Sequence, residues 1–182
     1  QGFTIRNGYN DFGGGMLCAA SSPTIDNCIF IANRATRFGG GLCNWYGSDP
    51  VVTNCVFERN TCTASDGRGG GVANRRGCSP TVQNCTFIDN ATPYCGGGLD
   101  NYDASHARVL DCHFEGNSAS YGGAATNWYS SRPTFKRCTF QANRGDKGAA
   151  VHNRTGSGPT IEQCLFFGNV AAQSGGTMLN FE

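Results

Sequence analysis

Cysteine is the most chemically versatile residue type in this chain, because thiols ligate metals, form disulfides and act as nucleophiles. The chain has 11 cysteines among 182 residues. Six of them recur at intervals of 26 to 30 residues, namely Cys28, Cys55, Cys85, Cys112, Cys138 and Cys164. Metal sites usually need close pairs such as Cys-x-x-Cys together with histidine, and no such pair occurs here. We therefore predict that these six are buried free thiols, with no metal and no cofactor.

Three further cysteines, Cys62, Cys78 and Cys95, lie outside this recurring column. Cys62 and Cys78 flank the longest variable segment, and Cys95 immediately precedes a glycine triplet. A Cys62–Cys95 disulfide is the pairing that we predict among them. The alternative, in which all three stay reduced, remains open at this point.

The carboxylates show no catalytic pattern. Glycoside hydrolysis requires two carboxyl groups several ångströms apart. Glu58 and Glu115 occupy equivalent positions two repeats apart, and Asp89 lies one residue on from that position in the repeat between them. Asp100 and His152 lie near the glycine-rich segments without a matching partner. We assign no catalytic residue and expect a scaffold rather than an enzyme, with a polysaccharide-degrading protein as the alternative.

A column of aromatic and arginine side chains could bind a ligand. It comprises Trp45, Arg75, Tyr102, Trp128 and Arg154, and the next position adds Tyr46 and Tyr129. Side chains alternate across a strand, so if Asn44 points inward, its neighbour Trp45 points outward. Outward aromatic side chains can stack on sugar rings or contact another subunit. The alternative is self-stacking along the column by cation–π contacts.

These columns imply a repeating architecture. Units of about 26 to 30 residues begin near residues 1, 23, 50, 80, 107, 133 and 159. Each unit carries a phenylalanine two residues after its cysteine and an asparagine three residues further on. A glycine-rich turn, an apolar residue and a second asparagine follow, and the first unit matches in part through Asn7, Gly13, Met16 and Cys18.

Such short repeats become stable by stacking, since every strand then pairs with its copies above and below. Asparagine side chains can bond from one coil to the next, and glycine permits close backbone approach at a corner. We predict an all-β chain, a single right-handed parallel β-helix of about seven coils that spans residues 1–182.

The motifs resemble those of a known family. Six tetrapeptides read Phe-x-x-Asn (FIAN, FERN, FIDN, FEGN, FQAN and FFGN), and they alternate with segments such as GGGM, GGGL and GGAA. The pattern resembles the paired GGA[ILV] and FxxN repeats of the chlamydial polymorphic outer membrane proteins. The resemblance implies a β-helical passenger of a surface adhesin, at an extracellular or cell-surface location.

Composition and chain ends bear on the partners. The net charge is +1, which gives no basic field for nucleic acid, and no apolar run is long enough to span a membrane. Neither end shows the polar cap that solenoids need, so Phe3 and Ile5 at one end and Met178 and Phe181 at the other are expected to be exposed. We therefore predict an extracellular structural or adhesive solenoid that self-associates head to tail or binds a surface ligand such as a carbohydrate.

Overall fold

The computed structural model describes residues 1–182 as 26 short β-strands connected by turns, with no helix. The strands are β1 (Thr4–Arg6), β2 (Tyr9–Phe12), β3 (Met16–Ala19), β4 (Thr24–Asp26), β5 (Ile29–Ile31), β6 (Arg34–Phe38), β7 (Leu42–Trp45), β8 (Val51–Thr53), β9 (Val56–Glu58), β10 (Thr61–Cys62), β11 (Val72–Arg75), β12 (Thr81–Gln83), β13 (Thr86–Ile88), β14 (Leu99–Tyr102), β15 (Arg108–Leu110), β16 (His113–Glu115), β17 (Ser118–Tyr121), β18 (Ala125–Trp128), β19 (Thr134–Lys136), β20 (Thr139–Gln141), β21 (Arg144–Lys147), β22 (Val151–Arg154), β23 (Thr160–Glu162), β24 (Leu165–Phe167), β25 (Val170–Ser174) and β26 (Met178–Phe181). No helix is therefore available to span a membrane.

The strands form long parallel sheets that run the length of the solenoid. The first sheet has the order β1-β5-β9-β13-β16-β20-β24, the second β3-β7-β11-β14-β18-β22-β26 and the third β4-β8-β12-β15-β19-β23. Each strand pairs in parallel with its counterpart one coil away, so that Phe30 lies opposite Ile5 on one side and Phe57 on the other. This pairing confirms the predicted all-β parallel solenoid of about seven coils.

A fourth wall of the solenoid is interrupted in the middle. It consists of two three-stranded sheets, β2-β6-β10 and β17-β21-β25. Between them, the coil that contains Thr92 and Pro93 makes only isolated bridges, through Ala91 and Cys95. Proline has no backbone N–H to donate to a sheet, which explains why regular pairing stops there.

The core is a stack of aromatic rings beside a column of thiols. Neighbouring rings of the phenylalanine column lie nearly parallel, with centroids 4.5 to 5.0 Å apart and interplanar angles of 10° or less. The stacked residues are Phe30, Phe57, Phe87, Phe114, Phe140 and Phe166. This spacing follows from the roughly 4.8 Å distance between paired strands.

Two asparagine ladders line the inside of the coils. In the first ladder, each side chain accepts bonds of 3.0 Å from the backbone N–H and the side-chain amide of the asparagine one coil earlier. The second ladder runs from Asn44 to Asn180 through amide bonds of 2.7 to 2.9 Å. Both ladders were predicted, with one correction. Gly8, not Asn7, occupies the first rung, because Ile5 pairs with Phe30 and the Gly8 N–H donates to Asn33.

The corners require unusual backbone angles. Asn27, Asn54 and Asn84 occupy one recurring corner with φ between 52° and 54°, a left-handed conformation that asparagine tolerates better than most residues. At another corner Gly39 has φ 65°, and a Cβ there would collide with the Leu42 carbonyl oxygen. The glycine-rich turn is therefore a steric requirement at this position.

All eleven cysteines are free thiols, so the predicted Cys62–Cys95 disulfide is not formed in the structure. Both side chains are fully buried. The Cys62 Sγ is directed at its own coil, where it donates to the carbonyl oxygen of Arg68 at 3.2 Å. This contact, rather than a bond to the next coil, satisfies the thiol. The column from Cys28 to Cys138 is also buried, and Cys164 is half-buried.

Candidate functional site: an outer groove of aromatic and arginine side chains

The second sheet has a covered outer face. Leu42 and Asn44 of β7 point into the solenoid, as the alternation predicts, whereas Cys43 and Trp45 point away from it. Yet Cys43 is fully buried, because Phe38, just before the glycine turn, packs against it. We call this region the outer groove. It comprises Cys43, Ala73, Asp100, Thr126 and His152, the parallel column Trp45, Arg75, Tyr102, Trp128 and Arg154, and the covering residues Phe12, Phe38, Arg68, Tyr94, Tyr121 and Lys147.

Cation–π contacts fill the groove. The Arg75 guanidinium lies 3.8 Å from the centre of the Phe38 ring and 4.3 Å from that of Tyr102. The Arg68 guanidinium lies 4.3 Å from the centre of the Trp128 indole. The π faces stabilise these cations. The self-stacking alternative therefore describes the middle of the column.

The groove is less exposed than the sequence suggested. Trp128 is only 4% exposed, so the expectation that it lies on the surface is wrong, because Tyr94 and Tyr121 pack against its ring. Tyr46 and Tyr129, which follow the column, are exposed at 57% and 46%. Ligand binding by this surface stays a prediction, and these two tyrosines are its most accessible aromatic side chains.

A buried ion pair lies in the middle of the groove. Arg68 Nη1 lies 3.4 Å from Asp100 Oδ1, and both side chains are almost completely buried. The Thr126 hydroxyl also donates to Asp100 Oδ1, while Oδ2 has no hydrogen-bond partner. Burial raises the pKa of Asp100, and the positive charge of Arg68 opposes that rise. The sequence analysis did not identify Arg68, although its position immediately before a glycine turn, equivalent to that of Phe38, was a usable signal.

His152 occupies the same outward column as Asp100, two coils further on. Its Nδ1 accepts a 3.2 Å hydrogen bond from the Trp128 indole N–H. Burial, with help from the nearby charges of Arg154 and Lys147, lowers the pKa of His152 to about 4. The imidazole is therefore neutral at pH 7, with its proton on Nε2, because an indole N–H can only donate.

A hollow opens at each end of the groove. The one near the last coil has a volume of about 150 Å³ and is lined by Tyr121, Lys147, His152, Arg154, Leu179 and Phe181. The one near the first coil has a volume of about 200 Å³ and is lined by Phe12, Leu17, Ala19, Trp45 and Tyr46. The hollow near the last coil is rich in nitrogen donors, and the hollow near the first coil is apolar.

The carboxylates considered for catalysis are dispersed. Glu58 pairs with Arg59 at 2.9 Å, and Glu115 lies 3.2 Å from His113 Nε2. Glu58 and Glu115 are separated in the first sheet by Ile88. No three histidine, cysteine, aspartate or glutamate side chains converge as metal ligands.

The apolar columns extend to both end coils. Phe3 is 65% exposed and Phe181 is 57% exposed, while Ile5 and Met178 are half-buried against the core. At the last coil Phe166 is likewise only partly buried. The first and last coils of this chain therefore leave part of these four apolar side chains accessible to solvent, and their role in assembly stays a prediction.

Comparison with known proteins identifies the family to which the chain belongs. A family model described as a right handed beta helix region matches residues 2–118 and 60–180. No curated protein and no solved structure matches the chain significantly. The matched segments together span nearly the whole sequence, and the parallel coils and stacked ladders described above have the form that this description names. The chain therefore belongs to the right-handed β-helix family.

Proposed function

We propose that this chain is a structural or adhesive solenoid of the cell exterior, and that its end faces stack head to tail on further copies. The observation that carries the proposal is that no other part of this chain covers the apolar columns at its first and last coils. Ile5 at one end and Phe166 at the other are only partly buried. A copy whose last coil lies against this first coil would place Phe166 on Ile5, and the core column would continue.

The outer groove supports the same arrangement. Its inner column is polar or small in the middle, at Asp100 and Thr126, but ends in Leu17 and Leu179. The adjacent column ends in Phe181. Head-to-tail stacking would cover these three apolar side chains together with the end strands, whose backbone groups have a neighbour on one side only. Exposed strand edges of this kind favour association.

Burial of apolar side chains at the contact would contribute a substantial free energy to stacking. Full burial of one large apolar side chain contributes about 1.5–3 kcal/mol. Phe3 and Phe181 are each more than half exposed, and Ile5, Met178 and Phe166 are partly exposed. Five such side chains can therefore offset much of the roughly 4–15 kcal/mol entropic cost of association. Because the contact is heterologous and adds each copy along the solenoid axis, repeated stacking does not close into a ring and produces an open filament.

Sedimentation velocity and light scattering test the proposal on the chain itself. Wild type should form species that grow with concentration, and the Met178→Lys and Phe181→Lys variants should remain monomeric because a charge would be buried at the contact. Val51→Lys is the matched control, since Val51 is 42% exposed on a side wall. A wild-type chain that remains monomeric at millimolar concentration would refute stacking.

The extracellular location rests on the resemblance of the FxxN and glycine-rich repeats to those of surface adhesins. Labelling of intact source cells with a membrane-impermeant amine reagent tests it. The reagent should modify Lys136 or Lys147, the two lysines of the chain, which are both partly exposed. Protection of both until the cells are lysed would contradict the proposal.

Carbohydrate binding is a second candidate function. The observation that favours it is the hollow near the last coil, where aromatic rings and nitrogen donors converge. Degradation of a polysaccharide finds less support, because Glu58 and Glu115 are each engaged by a neighbouring residue and lie two coils apart.

A further inference from the structure

The hollow near the last coil combines three nitrogen-bearing side chains with an apolar wall. Lys147, His152 and Arg154 line it, and Leu179 and Phe181 provide the apolar side. No aspartate or glutamate lines the hollow. A site with this balance of donors and acceptors is complementary to a negatively charged group.

The two cations have no partner of opposite charge. Neither Lys147 nor Arg154 participates in a salt bridge. Lys147 Nζ lies 5.6 Å from the centre of the Tyr121 ring, and the Arg154 guanidinium lies 5.1 Å from the Trp128 ring and 5.6 Å from the Phe181 ring. These contacts hold both side chains at the hollow while their N–H groups remain available.

His152 supplies a third donor with a defined direction. The Trp128 indole N–H occupies Nδ1, so the proton of the neutral ring must be on Nε2. Nε2 has no hydrogen-bond partner within the chain, and His152 lines the hollow with the 2% of its surface that stays exposed. The ring can therefore donate to a ligand from Nε2, and Trp128 fixes its orientation from the other side.

The size of the hollow limits the ligand. An enclosed cavity of about 150 Å³ holds one benzene-sized ring. The hollow here has a similar volume of about 150 Å³ but is open to solvent, so a ring can enter it while its substituents extend outward. We infer that this hollow binds a single six-membered ring that carries a carboxylate, with the carboxylate on Lys147 and Arg154 and the ring against Phe181 and Leu179. A uronic acid and an aromatic carboxylic acid share this chemistry.

This inference rests on the hollow alone and does not require head-to-tail stacking. Because stacking would cover Leu179 and Phe181, the hollow is open in the unstacked chain and at the free end of a stack, and binding is measured on dilute, monomeric chain. The inference refines the proposed carbohydrate binding, because a uronic acid is a sugar that carries a carboxylate. Failure of stacking would be detected by light scattering. Failure of binding would be detected separately, by the spectroscopic readout that follows.

The indole N–H resonances provide the readout. The chain has two tryptophans, and only Trp128 bonds His152. In ¹H–¹⁵N spectra, galacturonate or benzoate should shift the Trp128 indole resonance, and Trp45, at the other end of the groove, should serve as the internal reference. Galactose, which has the ring without the carboxylate, should produce no shift. A stronger response to galacturonate identifies an acidic sugar, and a stronger response to benzoate identifies an aromatic acid.

Three substitutions test the contacts. Lys147→Met and Arg154→Met retain the apolar stem of each side chain and should weaken binding at least about tenfold, because each removes a charge-assisted contact. Arg144→Met is the matched control, since Arg144 is an exposed cation of the same strand as Lys147 but lies outside the hollow. An unchanged Trp128 resonance in ligand-free Lys147→Met verifies that the groove is intact. Arg154→Met removes a cation that lies 5.1 Å from the Trp128 ring, so its folding is checked by an unchanged midpoint of urea denaturation instead. Equal affinity for galactose and galacturonate, no Trp128 shift with either acid, or full binding by Lys147→Met would overturn the inference.

Discussion

Removal of one rung of the first asparagine ladder should destabilise the whole solenoid. Asn117 is fully buried and lies in the middle of the ladder. Its amide donates to the Phe87 carbonyl at 2.9 Å and to Asn143 Oδ1 at 3.0 Å. Its Oδ1 accepts from the backbone N–H and the side-chain amide of Asn90, both at 3.0 Å. Asn117→Ala deletes all four hydrogen bonds and leaves their partners in place.

The size of the stability loss follows from the buried groups that lose a hydrogen-bond partner in Asn117→Ala. The Asn90 backbone N–H and the Phe87 carbonyl are buried, and each loses the hydrogen bond that it makes with the Asn117 side chain. The small space left by alanine is flanked by the side-chain amides of Asn90 and Asn143. A buried donor or acceptor that loses its partner costs about 1–3 kcal/mol. Two such groups predict a loss of about 2–6 kcal/mol in the free energy of unfolding, which is a large part of the stability of an ordinary domain.

Urea denaturation followed by circular dichroism measures this loss as a shift of the midpoint. Two controls make the result specific. Gln141→Ala removes a half-buried side chain on the outer side of the first sheet and should shift the midpoint little. Asn169→Ala removes the last rung, which is partly exposed, so water can replace the lost bonds and the shift should be smaller than for Asn117→Ala. Identical midpoints for Asn117→Ala and wild type would refute the stacking explanation.

Three further predictions concern buried groups. Cys85 and Cys112 should not react with a thiol reagent until the chain unfolds, because both are buried; rapid labelling of the native chain would contradict this. Arg68→Met should cost about 3–5 kcal/mol, since it leaves the buried Asp100 without its cation, and Arg68→Met combined with Asp100→Leu should recover much of that loss in urea denaturation. The pKa of His152 is about 4, below its unfolded value of about 6.5, so the native state resists protonation. The associated stability, about 3 kcal/mol, is present above pH 6.5 and lost as the pH falls toward 4. His152→Phe should remove that part of the pH dependence, and an unchanged pH profile would argue against a buried neutral imidazole.

Much of the solenoid interior could be predicted from the sequence. Every full unit has a cysteine, a phenylalanine and an asparagine at the positions of Cys85, Phe87 and Asn90. The distance between paired strands then places identical residues about 4.8 Å apart. Such columns are stable only if they stack, so their period alone indicates parallel coils, a phenylalanine stack and amide ladders. The first rung was misassigned because the choice between Asn7 and Gly8 depends on strand register, which only the pairing of Ile5 with Phe30 reveals.

The outer groove could not be predicted in the same way. The alternation that directs Trp128 away from the core is visible in the sequence, but its burial results from Tyr94 and Tyr121, which approach from segments of variable length. The ion pair of Arg68 with Asp100 likewise joins residues from two coils that share no repeated pattern. Repetition determines what stacks along the solenoid axis, because each residue meets its own copy. What packs across a turn depends on the path of each individual loop, and that path is decided only when the coils are assembled.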